Sequence, residues 1–211
     1  AIPKDHSELK FFQKSNYRIK KRSEVLGMIT KQTFTIAVAG THGKTTTSSL
    51  IAHILKSSGV DCTAFLGGIT QNYGTNLLLS EKLKALKKNQ KIKPITVVEA
   101  DEYDRSFLTL YPDIAVITSV DADHLDIYGD QKQMEKSYTQ FANQLKTGGV
   151  LIVKKGVDKI LILEKREKKL LTYSLHQSSD YYARKINIRK GEYLFDVVTP
   201  EQAIRGMLLG I

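Results

Sequence analysis

The chain has 211 residues, 41% hydrophobic and 26% charged, a balance far from that of a disordered protein and a length that needs no disulfide or metal to fold. Its single cysteine, Cys62, excludes an intramolecular disulfide and any cysteine-built metal site; with no apolar run of roughly 18 residues and no signal-peptide pattern, a soluble cytoplasmic protein without a membrane partner is expected. The net charge of +10 favours anionic ligands, but the densest basic run, residues 82–93, holds six lysines with no interleaved aromatic residue and reads as a solvated helix face, not a nucleic-acid surface.

Residues 7–14 predict a short helix, with Ser7 as cap and Leu9, Phe11 and Phe12 on its apolar side. Tyr17-Arg18-Ile19-Lys20 alternates like a short strand, and a second helical stretch starts at Ser23. This opening is too small to be a domain. From Phe34 the pattern changes to an apolar strand over 34–39, glycines, a helix over 44–58 closed by Gly59, and a strand over 61–66. Further apolar strands are expected over 95–98, 114–118 and 150–153, with a helix over 131–146. Unalternating strands spaced by helices predict an α/β fold, a mostly parallel sheet with helices on both faces. Residues 170–174, 181–189 and 192–198 alternate instead. They predict a small antiparallel extension at the sheet edge, followed by a last helix opening at Pro200-Glu201.

Gly40-Thr41-His42-Gly43-Lys44-Thr45-Thr46 stands between the first strand and its helix, where a phosphate-binding loop belongs. Glycines admit backbone N–H groups close to a phosphate, and the helix N-terminus adds unpaired donors and a positive dipole end. Lys44 is expected on the terminal phosphates and the Thr45 hydroxyl on Mg2+. The general pattern has four residues between its glycines; here Val38 replaces the first glycine, and two residues separate Gly40 from Gly43. Glu99 ends the strand 95–98 on the same sheet edge, because ligands of open α/β sheets bind beyond the strand C-termini, and is assigned to Mg2+. Asp101, Glu102 and Asp104 read as acids that solvate a loop. The strand 114–118 delivers Asp121-Ala122-Asp123-His124 to that edge, giving His124 a place on a second Mg2+ or on the group being phosphorylated. Cys62, in an apolar strand, reads as a core residue.

GTHGKTTT (40–47), EADEYDRSFL (99–108) and ITSVDADHLDIYGD (117–130) together resemble the central ATPase domain of the Mur ligases, whose phosphate loop has this compressed form. The opening Ala1-Ile2-Pro3-Lys4-Asp5-His6 is similar to the end of that family's N-terminal UDP-binding domain. The resemblance implies that residues 1–32 are a remnant of that domain and its linker. Residues 33–211 are then a C-terminally incomplete ATP-binding domain, with the domain for the incoming amino acid absent. It implies ATP on Gly40, Thr41, His42, Gly43, Lys44, Thr45 and Thr46, one Mg2+ on Thr45 and Glu99, and a second on His124. Lys44, Glu99 and His124 form the implied catalytic group. Many members have Asn where this chain has Ser119, which leaves the role of that position open. Residues 67–76 lie where relatives approach the sugar nucleotide, which makes Asn76 a candidate contact.

The implied activity is ATP-dependent amide-bond formation in peptidoglycan precursor synthesis, joining L-alanine to UDP-N-acetylmuramate through an acyl phosphate. The chain by itself is expected to be inactive. The rival readings are a murein tripeptide ligase of cell-wall recycling and a folate polyglutamylating ligase. From other classes come a P-loop ATPase acting on nucleic acid and a nucleotide-binding module without catalysis.

Overall fold

The computed structural model describes residues 2–81, 93–122, 125–164, 168–175 and 179–210. His124 and all but Lys93 of the lysine-rich run lie outside the described residues. Helices α1 (Ser7–Lys14) and α2 (Arg22–Gln32) precede β1 (Phe34–Ala39), α3 (Lys44–Ser57), β2 (Cys62–Thr70), β3 (Thr75–Leu78) and β4 (Ile95–Glu99). A 3-10 segment (Tyr103–Thr109), β5 (Ile114–Ile117), α4 (Leu125–Tyr128), α5 (Gln131–Asn143) and β6 (Val150–Lys154) follow. The chain continues with β7 (Lys169–Ser174), β8 (Tyr181–Arg189), β9 (Glu192–Val198) and β10 (Ala203–Gly210).

The strands form one sheet in the order β10-β9-β8-β7-β6-β5-β1-β4-β2-β3. Every pairing from β2 through β8 is parallel, whereas β3, β9 and β10 each run antiparallel to the preceding strand. Alternate residues of the central strands feed two separate cores. Ala37, Ala39, Val98, Ala115 and Ile117 lie in one core, with Phe107, Met134, Tyr138 and Phe141. There Phe107 stacks on Phe141 at 5.2 Å and meets Tyr138 edge-on at 5.3 Å, and burying each ring contributes roughly 2–3 kcal/mol. Ala64, Leu66 and Val97 point to the opposite face and pack with Ala52 of α3 and with Cys62, a fully buried core residue as expected. Among the described residues no helix is long and apolar enough to cross a membrane.

α2 docks on the 3-10 segment. A Cβ on Gly27 would lie 2.5 Å from the Thr109 carbonyl oxygen, so only glycine allows this approach. Thr109 Oγ1 donates to Ser23 O at 2.8 Å, and the Tyr111 N–H donates to Thr30 Oγ1 at 3.2 Å.

The structure corrects the predicted elements at four places. No strand forms over residues 17–20: among the described residues no neighbouring strand supplies backbone partners there, and Phe12 instead packs edge-on against Tyr17 at 5.3 Å. β7 is not part of the antiparallel extension but runs parallel to β6 and β8, because Leu151 and Val153 pair it into the main sheet. The last helix is absent. Pro200 takes a turn position, the Thr199 N–H donates to Gln202 O at 2.8 Å, and residues 203–210 return as β10 against β9, tertiary pairing overriding the helical preference of Met207, Leu208 and Leu209. Residues 67–76 are mainly the β2–β3 hairpin, since β2 runs on through both glycines to Thr70.

Candidate active site

β1 lies between β4 and β5, so three strand tips meet where the chain turns into α3. Gly40 opens that turn at φ 135°, and a Cβ there would lie 2.0 Å from Thr118 Oγ1. Glycine alone lets the loop lie against the β5 tip. Gly43 caps α3 at φ 79°, and a Cβ there would meet nothing within 4 Å. Gly43 offers no capping side chain and the first turn holds no acid. The N–H groups and dipole at the start of a 14-residue helix are therefore offered to open space, and an anion fits there.

Lys44 folds back over the loop. Its Nζ donates to Gly40 O at 2.8 Å, to Thr41 O at 3.4 Å and to Glu102 Oε1 at 2.7 Å. Glu102 is 1% exposed, which overturns its reading as a solvated loop acid. Burial pushes its carboxyl above the usual range against the pull of the Lys44 ammonium. Asp101 and Asp104 are exposed, as expected for the loop. The 3-10 segment holds Glu102 in place. Asp104 and Arg105 adopt left-handed φ of 51° and 60°, about 1–2 kcal/mol of strain each, held by Phe107 in the core and by Arg105 over the Tyr128 ring at 5.3 Å. The Tyr128 phenol is pushed up to about 12, first by burial and then by the Glu102 charge, and donates to Glu102 O at 2.6 Å.

Glu99 closes β4. Thr45 Oγ1 donates to its Oε1 at 3.0 Å, the Gly67 N–H to its Oε2 at 2.8 Å, and Ser48 Oγ to Oε2 at 3.5 Å. β2 pairs with β4 as far as Phe65 and Val98 and then overshoots its tip, which carries Gly67 beside the carboxylate. A hydroxyl and a carboxylate are hard oxygen donors, the kind Mg2+ takes together with water and phosphate oxygens, so the pair fits the ion. Among the described residues no three His, Cys, Asp or Glu side chains converge to hold a metal by themselves.

The β5 tip grips the loop from the other side. Ser119 Oγ lies 2.7 Å from Thr41 Oγ1 and accepts the His42 N–H at 3.0 Å, while the Thr41 N–H donates to Ser119 O at 3.2 Å. Thr41 is thus turned inward and buried, whereas His42, Thr45 and Thr46 are exposed. The His42 imidazole lies 3.9 Å from Asp121. Asn76 is exposed on the edge strand β3, and among the described residues no hydrogen bond joins it to Thr45 or Glu99. Sequence reasoning missed Glu102, Ser48 and the Gly67 N–H, and left Ser119 open. Ser119→Ala removes the partner of two buried or half-buried groups and is expected to destabilise the chain by about 2 kcal/mol. Urea unfolding of the two forms reads this directly.

A cavity of about 270 Å³ opens beside Glu99, between Lys21, Arg22 and Ser23 at the start of α2 and Asp101, Tyr103 and Ser106 across from them.

A family model described as the Mur ligase middle domain matches residues 38–210. The UDP-N-acetylmuramate--L-alanine ligase of Flavobacterium psychrophilum is 48% identical over the whole chain, which covers 43% of that protein. The enzyme of the same name from Porphyromonas gingivalis (strain W83) is 47% identical, with 44% of it covered. This chain therefore spans about two fifths of the length of the curated relatives it matches. Among solved structures, the UDP-N-acetylmuramate-alanine ligase of Thermotoga maritima superposes with a TM-score of 0.73 at 21% identity, over 99% of this chain and 44% of that one. The UDP-N-acetylmuramate:L-alanyl-gamma-D-glutamyl-meso-diaminopimelate ligase of Neisseria meningitides gives 0.74 at 21% identity, over 96% and 63%. At that identity the two structures speak for the fold alone, and the family follows from the match along most of the sequence: the chain belongs to the Mur ligase family.

Proposed function

We propose that the full-length protein containing this chain joins L-alanine to UDP-N-acetylmuramate, forming ADP and phosphate, and that the rim between α3, β4 and β5 binds the nucleotide polyphosphate. The observation that carries this reading is the meeting of Lys44, Thr45 and Glu99 at one sheet edge, in front of an uncapped helix N-terminus. A carboxylate acylates poorly, so ATP first phosphorylates the lactyl carboxylate to an acyl phosphate with release of ADP; the amine of L-alanine then attacks the acyl carbon, forms the amide bond, and displaces inorganic phosphate. Gly40, Gly43 and the first α3 amides hold the phosphates, and Lys44 sets its charge beside them. Thr45 and Glu99 would hold Mg2+, with His124 on a second ion, and the metal would neutralise charge between two anionic reactants. The cavity lined in part by Glu99 is the candidate place for the acid to be activated. Asn76 is a candidate contact of the sugar nucleotide. In a phosphate-release assay on the full-length protein, ADP is expected only when UDP-N-acetylmuramate and L-alanine are both present. Release with the murein tripeptide in place of L-alanine identifies the recycling ligase, and release stimulated by DNA overturns the ligase reading.

A further inference from the structure

The proposed chemistry makes no use of the Glu102 carboxylate, although it is 1% exposed and 2.7 Å from the ammonium that faces the loop. An ammonium has three N–H donors. Lys44 directs them at Gly40 O, Thr41 O and Glu102 Oε1, so all three are committed. The three bonds are unequal. Those to Gly40 O and Glu102 are 2.8 and 2.7 Å, while that to Thr41 O is 3.4 Å and weak. A phosphate oxygen that enters the loop takes the weak donor first, and the other two stay where they are.

The backbone that carries Glu102 is pinned. Its backbone carbonyl accepts the Tyr128 hydroxyl at 2.6 Å and the Arg105 N–H at 3.0 Å, and the Phe107 N–H donates to Asp101 O at 2.9 Å, with Phe107 locked in the aromatic stack. The carboxylate therefore remains on the ammonium when a second anion arrives. Two anions sharing one cation repel each other, and the resident one is buried, where screening by water is weakest.

We propose that Glu102 is a built-in counter-anion of the phosphate loop, a positioning residue that fixes where the Lys44 ammonium points and weakens the hold of the loop on polyphosphate. This rests on the reading that Lys44 receives a nucleotide phosphate. The loop is then ordered before nucleotide arrives, and part of the lysine charge is withheld from ADP, which eases its departure.

The test is calorimetric titration of MgATP into the full-length protein, with thermal melting of each variant to verify folding. Glu102→Gln keeps the hydrogen-bonding shape and removes the charge, and is expected to tighten binding about tenfold. The gain must vanish in Lys44→Ala/Glu102→Gln relative to Lys44→Ala, because it acts through the lysine. Glu102→Asp, which draws the charge back from Nζ, is expected to tighten binding about threefold and decides the case if the glutamine variant does not fold. Binding unchanged or weakened by these substitutions, against a Lys44-dependent wild type, overturns the counter-anion role alone. If Lys44→Ala binds as the wild type does, or no form binds, the phosphate-site reading fails and takes this proposal with it. In the full-length protein Glu102→Gln is expected to lower the KM for ATP and kcat together, a pattern that a merely structural residue does not produce.

Discussion

Lys44→Ala in the full-length protein is expected to lower ligase turnover by at least about a thousandfold and to weaken the fold as well. The first effect follows from the proposed chemistry, in which little covalent work falls to the protein and stabilisation of phosphoryl charge dominates. The second follows from the geometry. The substitution takes the cation from a carboxylate that is 1% exposed and removes the donor of two loop carbonyls. Breaking a buried pair from one side costs about 3 kcal/mol or more. Urea unfolding of Lys44→Ala, Glu102→Ala and the double variant separates the two effects. The double variant is expected to recover part of the stability lost by Lys44→Ala and none of the activity. Near-normal turnover of Lys44→Ala shows that the phosphates lie elsewhere.

Gly67→Ala is expected to cut turnover about a hundredfold while costing less than about 1 kcal/mol of stability. The added Cβ would stand 2.2 Å from Glu99 Oε1 and 2.5 Å from Oε2, at the free end of a flexible side chain. The carboxylate moves, the backbone does not, and the pairing of Glu99 with Thr45 is lost. A displacement of about 1 Å at a reacting centre is enough for a loss of that size. Gly68→Ala is the control, since its Cβ would sit 3.3 Å from Thr45 Cγ2 and ask only for a small adjustment. Turnover measured against Mg2+ concentration checks the cause. A Gly67→Ala enzyme with unchanged magnesium dependence removes Glu99 from the metal site.

The parallel centre of the sheet was legible because β1, β4, β5 and β6 are short apolar runs covered on both faces, a pattern that local sequence carries. The meeting of Thr45 with Glu99 at one edge follows from that same parallel order. Glu102 was not legible. It sits in a run of acids, and its burial is created by Phe107 further along the chain and by Tyr128 from α4, which arrive only with the tertiary fold. The place of Gly67 was not legible for a related reason, since its contact with Glu99 depends on how far β2 overshoots β4, a matter of register. β10 failed to show because Met207, Leu208 and Leu209 suit a helix as well as a strand, and the choice is made by the β9 edge.

The missing side chain of Gly27 has a mechanical consequence. With the helix backbone seated on the Thr109 carbonyl, and Ser23 and Thr30 fastened to either side of it, no soft layer separates α2 from the segment whose far end is Glu102. The two form a stiff lever. A change in the tilt of that helix would therefore be expected to reach the 3-10 segment that begins next to Glu102, the carboxylate opposite Lys44.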